Sequence, residues 1–288
     1  MKNLGYYNGI ADEIENIRVP MMDRATYFGD GCYDALYSRN YKMYCLGAHL
    51  DRLYNSASLL DIKPPMEKAA LASLLTELLL KCDDGEQFIY IQFSRGTALR
   101  EHSYGSEKMQ SNLWITMTPS TVQDTYEPIS CITVPDTRFL HCNIKTLNLL
   151  PNVLAAEAAH RAGCHEAIFF RPFREGESDG IVTECAHSNV HAIINGVFRT
   201  HATDNKILPG IARQNLLRMC RTLGIPYSEI PFTRAELFTA DEVILSSSGS
   251  FCIPITSVDG RKVGGGAPEI LRSLQDALNE EWLNETNA

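Results

Sequence analysis

The chain has 288 residues, of which 44% are hydrophobic and 21% charged, so it can bury the core of one large domain or two ordinary domains of a soluble globular protein. Its 26 basic and 35 acidic residues leave a net charge of -9, which disfavours nucleic acid and anionic membrane surfaces as partners. The first residues lack an apolar stretch of signal-peptide length, and no run is long enough to span a bilayer, so we predict a cytoplasmic protein. Nine cysteines without C-x-x-C spacing are typical of reduced thiols.

Two helical patterns and two strand patterns occupy the first part of the chain. Apolar residues recur at helical spacing in GAHLDRLYNSASLLDI, from Gly47, and in MEKAALASLLTELLLKC, from Met66. The segments FIYIQFSRG and NLWITMTP are rich in aromatic and β-branched residues and are predicted strands. The next segment, PSTVQDTYEP at 119–128, is polar and bracketed by prolines, so we predict that it links a small domain, residues 1–118, to a larger one, residues 129–288.

The larger predicted domain mixes strands and helices without regular βαβ alternation. Strands are predicted in ISCITV, HEAIFFR, GIVTE, NVHAII, GVFRTH, EVILSS and CIPITSV. Helices are predicted from about 147 to 162, over PGIARQNLLRMCRTLG, and from about Pro268 to the end of the chain. This arrangement indicates an α+β fold in two domains, a small N-terminal α/β domain and a larger mixed C-terminal α/β domain.

One lysine occupies a stretch that otherwise carries no fixed charge. In HCNIKTLNLLPNVLAA, Lys145 is the only lysine between Lys108 and Lys206. Apolar surroundings disfavour the ammonium form, so Lys145 is a candidate amine nucleophile for carbonyl chemistry. A snorkelling surface lysine at a helix start is the alternative.

A nucleophilic lysine forms a Schiff base either directly with a substrate carbonyl or with pyridoxal phosphate. The cofactor also needs a carboxylate near its pyridine nitrogen and an anion-binding site for its phosphate. Glu184 ends the apolar strand GIVTE, although a glutamate in that position is often only a solvated turn residue. The helix that begins at PGIAR offers the backbone N–H groups of Ile211 and Ala212. The turn SSSGS, after the strand EVIL, could add further donors.

Eight segments, in this order, resemble the motifs of the class IV, or fold type IV, pyridoxal-phosphate aminotransferases. They are DRATYFGDGCYDALY, HLDRLYNSA, RGTALREH, CNIKTLNLLPNVLA, GCHEAIFF, GIVTECAHSNV, ILPGIAR and LSSSGSFCIPI. Within that class the D-amino-acid aminotransferases are the most similar group. The resemblance implies the two-domain fold type IV architecture, a Schiff base between the cofactor and Lys145, and a homodimer.

The resemblance also assigns cofactor-binding roles residue by residue. Lys145 would move a proton between the substrate Cα and the cofactor, and Glu184 would pair with the pyridinium nitrogen. Leu208 would pack against one face of the ring. The cofactor phosphate would be held by Arg52, the Ile211 and Ala212 amides, Ser247 and Ser248.

The segment RGTALREH distinguishes the D-amino-acid aminotransferases within the class. Residues two apart in an extended segment point the same way, so Arg100 and His102 can approach one target. By the resemblance, they form with Tyr33 a trap for the substrate α-carboxylate, for which an arginine with flanking donors is suited. Apart from this resemblance, the residues of the segment indicate only an ordinary polar loop.

Several positions depart from the family pattern. Cys-Ala-His-Ser follows Glu184 where Gly-Ser-Ser-Ser is common, which puts His187 where a small hydroxyl residue is expected. Phe139 replaces a tryptophan, Asp34 a glutamate and Ala212 a threonine. His187 and His191 lie four apart at the start of a strand, where that spacing does not build a helical metal face, so we predict no metal site.

We therefore predict a D-amino-acid transaminase that moves the amino group of D-alanine, D-glutamate or D-aspartate to a 2-oxo acid. An L-branched-chain aminotransferase should lack the R-x-H segment. A 4-amino-4-deoxychorismate lyase would share the lysine and the glutamate but eliminate pyruvate. A scaffold that only binds a ligand has no need of the lysine, the glutamate and Arg52 together.

Overall fold

The computed structural model describes residues 1–105 and 109–287 and divides the chain into two compact units. The first unit contains residues 1–121, 144–148 and 283–288, and the second contains residues 122–143 and 149–282. The sequence predicted a continuous second domain over 129–288, whereas the structure assigns 144–148, and with it Lys145, to the first unit.

The first unit is built on an antiparallel sheet. Its strands are β1 (Leu4–Tyr7), β2 (Ile10–Glu13), β3 (Gly31–Arg39), β4 (Lys42–Met43), β5 (Gln87–Ser94) and β6 (Asn112–Pro119). Within the described residues they form one six-stranded sheet in the order β2-β1-β6-β5-β3-β4. A 3₁₀ helix at Ile14–Asn16 follows β2.

The first unit also contains the helices α1 (Arg24–Phe28), α2 (Leu46–Leu59) and α3 (Lys68–Leu79). Leu50 and Leu53 of α2 and Leu71 and Leu75 of α3 recur at helical spacing and are buried in one core with the sheet residue Ile89. The apolar pattern that predicted the two longer helices is therefore the pattern that packs them.

The second unit is built on a mixed sheet. Its strands are β7 (Ile129–Pro135), β8 (Glu166–Pro172), β9 (Gly180–Cys185), β10 (Asn189–Ile194), β11 (Val197–Thr200), β12 (Tyr227–Ser228), β13 (Glu242–Ser247), β14 (Ser250–Val258) and β15 (Arg261–Lys262). In the part of the chain that the structure describes, eight of them follow the order β12-β11-β10-β13-β14-β7-β8-β9, and β15 pairs with β14. The β11–β12, β14–β7 and β7–β8 pairs are parallel, and the other pairs are antiparallel.

The helices of the second unit are α4 (Leu150–Arg161), α5 (Ile211–Leu223), α6 (Arg234–Leu237) and α7 (Pro268–Glu285), whose last residues belong to the first unit. Helix α5 is capped at its C-terminus by Gly224, whose φ of 69° is in the left-handed region that glycine adopts without strain. The core of this unit contains Val182, Val190, Val243 and Ile253.

The predicted helices and strands are confirmed, with small shifts at their ends. Helix α4 begins at Leu150 rather than near 147, with Pro151 in its first turn. The elements that the sequence analysis did not predict are β1, β2, β3, β4, β12, β15, α1 and α6. None of the helices in the described residues has the length and apolarity needed to cross a membrane.

Candidate active site

Lys145 is held through its backbone on two sides within the first unit. The Tyr33 N–H donates to the Lys145 carbonyl at 2.9 Å, and the Lys145 N–H donates to Ser56 Oγ at 3.2 Å. The neighbouring Thr146 forms an isolated antiparallel bridge with Cys32 of β3. Lys145 Nζ lies 4.3 Å from the centre of the Tyr33 ring, and the residue is half-buried. The backbone of Lys145 is therefore fixed, and its amine is partly shielded by the Tyr33 ring.

A buried polar stripe runs along α2. His49, Arg52 and Ser56 are three and four residues apart, so they share one face of the helix, and all three are buried. Arg52 donates from Nε and Nη2 to the two carboxylate oxygens of Asp34, each at 2.8 Å. His49 Nδ1 lies 2.7 Å from Asp34 Oδ1. Arg52 is therefore fixed by a bidentate ion pair.

Charges along this stripe are tightly coupled. Burial raises the pKa of Asp34, but the Arg52 guanidinium and His49 outweigh it and hold that pKa well below its ordinary value. Burial lowers the pKa of His49 despite the attraction of Asp34, so the imidazole is mainly neutral at pH 7. The aspartate that replaces the family glutamate thus retains an ionised carboxylate beside Arg52.

The structure separates the three residues of the predicted carboxylate trap into two groups of contacts. The Tyr33 ring stacks on Tyr90, with ring centres 5.2 Å apart, and faces Lys145. The Arg100 guanidinium and the His102 ring each lie 5.2 Å from the centre of the Phe28 ring. Among the described contacts, none joins Tyr33 to Arg100 or His102.

Glu184 lies at the end of β9 in the second unit and is 5% exposed. Its Oε1 accepts a hydrogen bond from Arg138 Nη1, and its Oε2 accepts from Asn189 Nδ2 at 2.9 Å and from the Leu208 N–H at 3.0 Å. Burial raises the pKa of Glu184 to about 6, although Arg138 and the Leu208 amide favour its ionised form. Leu208 therefore contributes its backbone amide to the carboxylate.

Arg138 is a part of this site that the sequence analysis missed. It is buried, and it also pairs with Asp136, at 2.9 Å between Nη2 and Oδ2, and donates to the Lys206 carbonyl at 3.1 Å. Its pKa is raised: burial lowers it, but the carboxylates of Asp136 and Glu184 more than compensate. A buried carboxylate needs a cation, but Arg138 lies 46 positions from Glu184 in the chain, so no local pattern marks it as the partner.

Asn189 connects Glu184 to the start of α5. Its amide donates to Glu184 Oε2 and, at 3.1 Å, to the Leu208 carbonyl. A Cβ on Gly210 would approach Asn189 Oδ1 to 2.0 Å, so the close contact requires glycine at that position. The sequence analysis quoted Asn189 and Gly210 within motifs but gave neither a role.

The start of α5 offers backbone donors. Gly210 is the N-cap and supplies no side-chain cap, and the Gln214 N–H bonds back to the Gly210 carbonyl at 3.0 Å. The N–H groups of Ile211 and Ala212 belong to the first turn, where an α-helix has no internal acceptor for them. Ser247 ends β13, Ser248 follows in the turn, and Ser246 is paired with Asn189 across the sheet.

The residues of each unit fit parts of a pyridoxal-phosphate site. A carboxylate has about four acceptor positions, and the described donors to Glu184 occupy three, which leaves one for a pyridine N–H. An uncapped helix start suits a phosphate. Arg52 and Lys145 supply the cation and the amine in the first unit. The donor set therefore agrees with the chemistry of this cofactor.

His187 occupies the turn between β9 and β10 and is anchored there. Its Nδ1 lies 2.8 Å from Glu166 Oε2, and Ser188 Oγ donates to the same oxygen at 3.0 Å. The His187 side chain is 68% exposed, whereas Glu166 is 1% exposed. The other departures differ in environment, since Phe139 is 47% exposed and Ala212 is buried.

The model of the family described as "Amino-transferase class IV" matches residues 31–258. The chain belongs to this family. The predicted family is thus confirmed, and the class IV aminotransferases are enzymes that use pyridoxal phosphate.

Two D-alanine aminotransferases are similar in sequence to this chain over most of its length. It is 36% identical over 282 residues to the D-alanine aminotransferase of Bacillus licheniformis, with 97% of each chain covered. It is 38% identical over 258 residues to a D-alanine aminotransferase of Listeria monocytogenes, covering 88% of this chain and 87% of that one.

Solved structures confirm the predicted α+β, two-domain fold. A branched-chain aminotransferase from Thermoproteus uzoniensis has a TM-score of 0.86 at 22% identity, over 99% of this chain and 96% of that one. A putative 4-amino-4-deoxychorismate lyase from Legionella pneumophila has a TM-score of 0.81 at 24% identity, over 93% and 97%. At such identities these likenesses describe the fold alone.

Proposed function

We propose that the protein is a pyridoxal-phosphate-dependent D-amino-acid transaminase, which moves the amino group between D-alanine, D-glutamate or D-aspartate and 2-oxo acids. The observation that carries this proposal is the 35 to 38% identity to D-alanine aminotransferases over 88 to 97% of the chain. The L-branched-chain aminotransferases share the fold at 20 to 22% identity and fit less well.

Pyridoxal phosphate, when bound, supplies an electron-withdrawing ring that stabilises negative charge at the substrate Cα. Five residues would hold its phosphate through a guanidinium, helix N–H groups and hydroxyls: Arg52, Ile211, Ala212, Ser247 and Ser248. Leu208 would pack against the ring. The bidentate contact with Asp34 supports the phosphate role of Arg52, because it fixes the orientation of the guanidinium.

Lys145 would carry the cofactor in the resting enzyme and then move a proton to and from the substrate Cα. Two backbone hydrogen bonds fix the position of the Lys145 backbone, from which the side chain extends. A fixed starting point favours repeated proton transfer at the same substrate Cα. The Tyr33 ring beneath its amine also limits access of water.

Glu184 would keep the pyridine nitrogen protonated. A carboxylate with a pKa of about 6 is mainly ionised at pH 7, and the Arg138 and Leu208 donors support that charge. The anion would hold the proton at the nitrogen while charge develops at the substrate Cα.

Arg100, His102 and Tyr33 would bind the substrate α-carboxylate and thereby choose the D enantiomer. The proton of Cα must face Lys145, so the side on which the carboxylate is held decides which enantiomer places its hydrogen there. The exposed positions of Arg100 and His102 support a role in binding a small anion from solution.

We also propose a cytoplasmic homodimer with a linker at 119–128. Exposed apolar side chains support assembly, since Leu150, Val153 and Leu154 of α4 are each at least 60% exposed and lie at helical spacing. Sedimentation of the purified protein would measure its oligomeric state.

The proposed activity is tested with paired D- and L-amino acids, 2-oxoglutarate as acceptor and chiral analysis of the products. We expect D-alanine to react and L-leucine to react poorly. A preference for L-leucine would support the branched-chain alternative. Release of pyruvate from 4-amino-4-deoxychorismate would support the lyase, and no turnover with any donor after loading with cofactor would support a binding scaffold.

A further inference from the structure

Arg24, in the motif DRATYFGDGCYDALY, is a buried arginine to which the mechanism gives no task. It is the first residue of α1, is 3% exposed, and forms an ion pair with Asp30 at 2.7 Å between Nε and Oδ2. Its backbone N–H donates to the Gly96 carbonyl at 2.9 Å. A buried guanidinium is retained only where its donors are satisfied, so the remaining partners of Arg24 indicate its role.

Those partners are two carbonyls of the R-x-H segment. Arg24 Nη1 donates to the Glu101 carbonyl at 2.6 Å, and Nη2 donates to the His102 carbonyl at 3.4 Å. These two carbonyls belong to the Glu101–His102 and His102–Ser103 peptide units, which flank His102. A rigid fork on consecutive carbonyls restricts the backbone from which both side chains project.

Phe28, one turn further along α1, provides the surface on which these side chains rest. The Arg24 guanidinium lies 4.8 Å from the centre of its ring, and Arg100 and His102 lie 5.2 Å from it. The ring therefore contacts the clamping arginine and both residues of the R-x-H pair, which adds cation–π attraction to the backbone hydrogen bonds.

Arg95 pairs with the same carboxylate. Its Nε lies 3.0 and 2.9 Å from the two oxygens of Asp30, and its other nitrogens donate to the Leu60 and Asp61 carbonyls at 2.7 and 2.8 Å. Two arginines on one carboxylate leave an excess positive charge beside a cavity of about 280 Å³ that His102 also lines. A small anion that enters this cavity thus meets His102 in a positive environment.

We propose that Arg24 is a positioning residue that holds the segment 99–105 in its carboxylate-binding conformation before a substrate arrives. The proposal rests on the proposed function, because it takes Arg100 and His102 as the carboxylate-binding pair. Residues 99–105 are mostly exposed, so without a clamp the segment would have to be ordered when the substrate binds, at a cost in affinity. Arg24 removes that cost without touching the substrate.

Limited digestion with trypsin tests the clamp without reference to activity. In cofactor-loaded protein, Arg24→Gln should speed cleavage after Arg100 by roughly tenfold to a hundredfold, because loss of charge-assisted bonds releases the segment. In Arg24→Lys the rate of cleavage after Arg100 should lie between those of the unmodified protein and Arg24→Gln, since an ammonium keeps the charge but cannot bond both carbonyls as a guanidinium does. Arg199→Gln is the matched control: it also removes an arginine that pairs with a carboxylate, Glu236, and donates to a carbonyl, that of Pro231, but it lies in the second unit and leaves the Glu101 and His102 carbonyls held by Arg24. Equal cleavage after Arg100 in Arg24→Gln and in the unmodified protein would overturn the proposal.

Kinetics then separate this inference from the proposed function. Arg24→Gln should raise the KM for D-alanine roughly tenfold or more, with a smaller change in kcat, and should leave the slow reaction of a primary amine without a carboxylate unaltered. If Arg100→Ala leaves D-alanine kinetics unchanged, the trap assignment fails even where digestion supports the clamp. If Arg100→Ala impairs D-alanine while Arg24→Gln changes neither KM nor cleavage, the trap stands and the clamp is rejected.

Discussion

Replacing Arg138 with methionine tests whether this arginine sets the charge of Glu184. Arg138 is buried and contacts Glu184 Oε1, so the variant leaves a buried carboxylate without its cation. Asp136 keeps a second partner, since Arg171 Nε lies 3.2 Å from its Oδ2. Methionine fills a similar volume, which keeps the loss mainly electrostatic.

The magnitude follows from the hydrogen bond that is lost. A bond between charged groups contributes about 1.5 to 3 kcal/mol, and 1.36 kcal/mol corresponds to one pKa unit, so the pKa of Glu184 should rise by about one to two units. It begins at about 6, already raised by burial. In the variant without cofactor it should therefore lie at about 7 to 8. A pyridinium bound beside Glu184 lowers this pKa in both proteins, so the loaded enzymes should still differ by about one to two units.

The assay is the rate of the half-reaction with D-alanine, measured by stopped flow between about pH 5 and about pH 9. Glu184 must be ionised to act, so the rate should fall as the pH drops through its pKa. Arg138→Met should move this acidic limb upward by about one to two units and recover much of its rate at high pH. Arg138→Lys retains a cation and should shift the limb less. An acidic limb that stays in place in Arg138→Met would refute the reasoning.

Three further predictions concern the amine, the carboxylate and the helix start. Borohydride reduction should attach the cofactor permanently to Lys145, as peptide mass spectrometry would show, and label at any other lysine would exclude that role. Glu184→Gln should slow the half-reaction while leaving cofactor bound. In the unmodified protein without cofactor, the free energy of unfolding should fall by about 2 kcal/mol as the pH rises from 4.5 to about 6, because the raised pKa of Glu184 stabilises the folded state below 4.5 and this stabilisation is lost as the pH passes the folded value. Glu184→Gln should abolish this fall. Gly210→Ala should displace Asn189 from Glu184 and weaken cofactor binding by roughly tenfold, whereas the control Gly47→Ala, where an added Cβ meets nothing within 4 Å, should bind normally; equal affinities in titrations would contradict the packing argument.

Regular elements were predictable because their patterns are local. Helix α2 is the clearest case, since Leu50, Leu53 and Ala57 recur at helical spacing and are all buried. The strand β3 was not predicted, although its residues lie in a quoted motif. Its burial alternates along Gly31–Arg39, but Tyr33, Asp34 and Ser38 interrupt the apolar alternation that a strand prediction needs.

The candidate site was only partly predictable, because its partners are distant in the chain. Lys145 stood out as a solitary charge, and Glu184 as a carboxylate after an apolar strand. Arg138 meets Glu184 across 46 positions, and Asp34 meets Arg52 across 18. No local pattern encodes such pairings. They become visible only when strands and helices have brought the two residues together.

The positions of the unit boundaries determine how this chain can be divided. Residues 144–148 belong to the first unit, while the chain before and after them belongs to the second. A polypeptide that ends at residue 121 would therefore lack the strand bridge between Thr146 and Cys32 and the backbone partners that Lys145 gives to Tyr33 and Ser56. Two fragments produced by cutting at that point could not each carry a self-sufficient half of the enzyme, because the fragment that carries the reactive amine is not the one that shapes its surroundings. If the N-terminal halves of two related proteins were exchanged, the lysine of each would accordingly pack against first-unit residues of the other protein, with which it had not been selected.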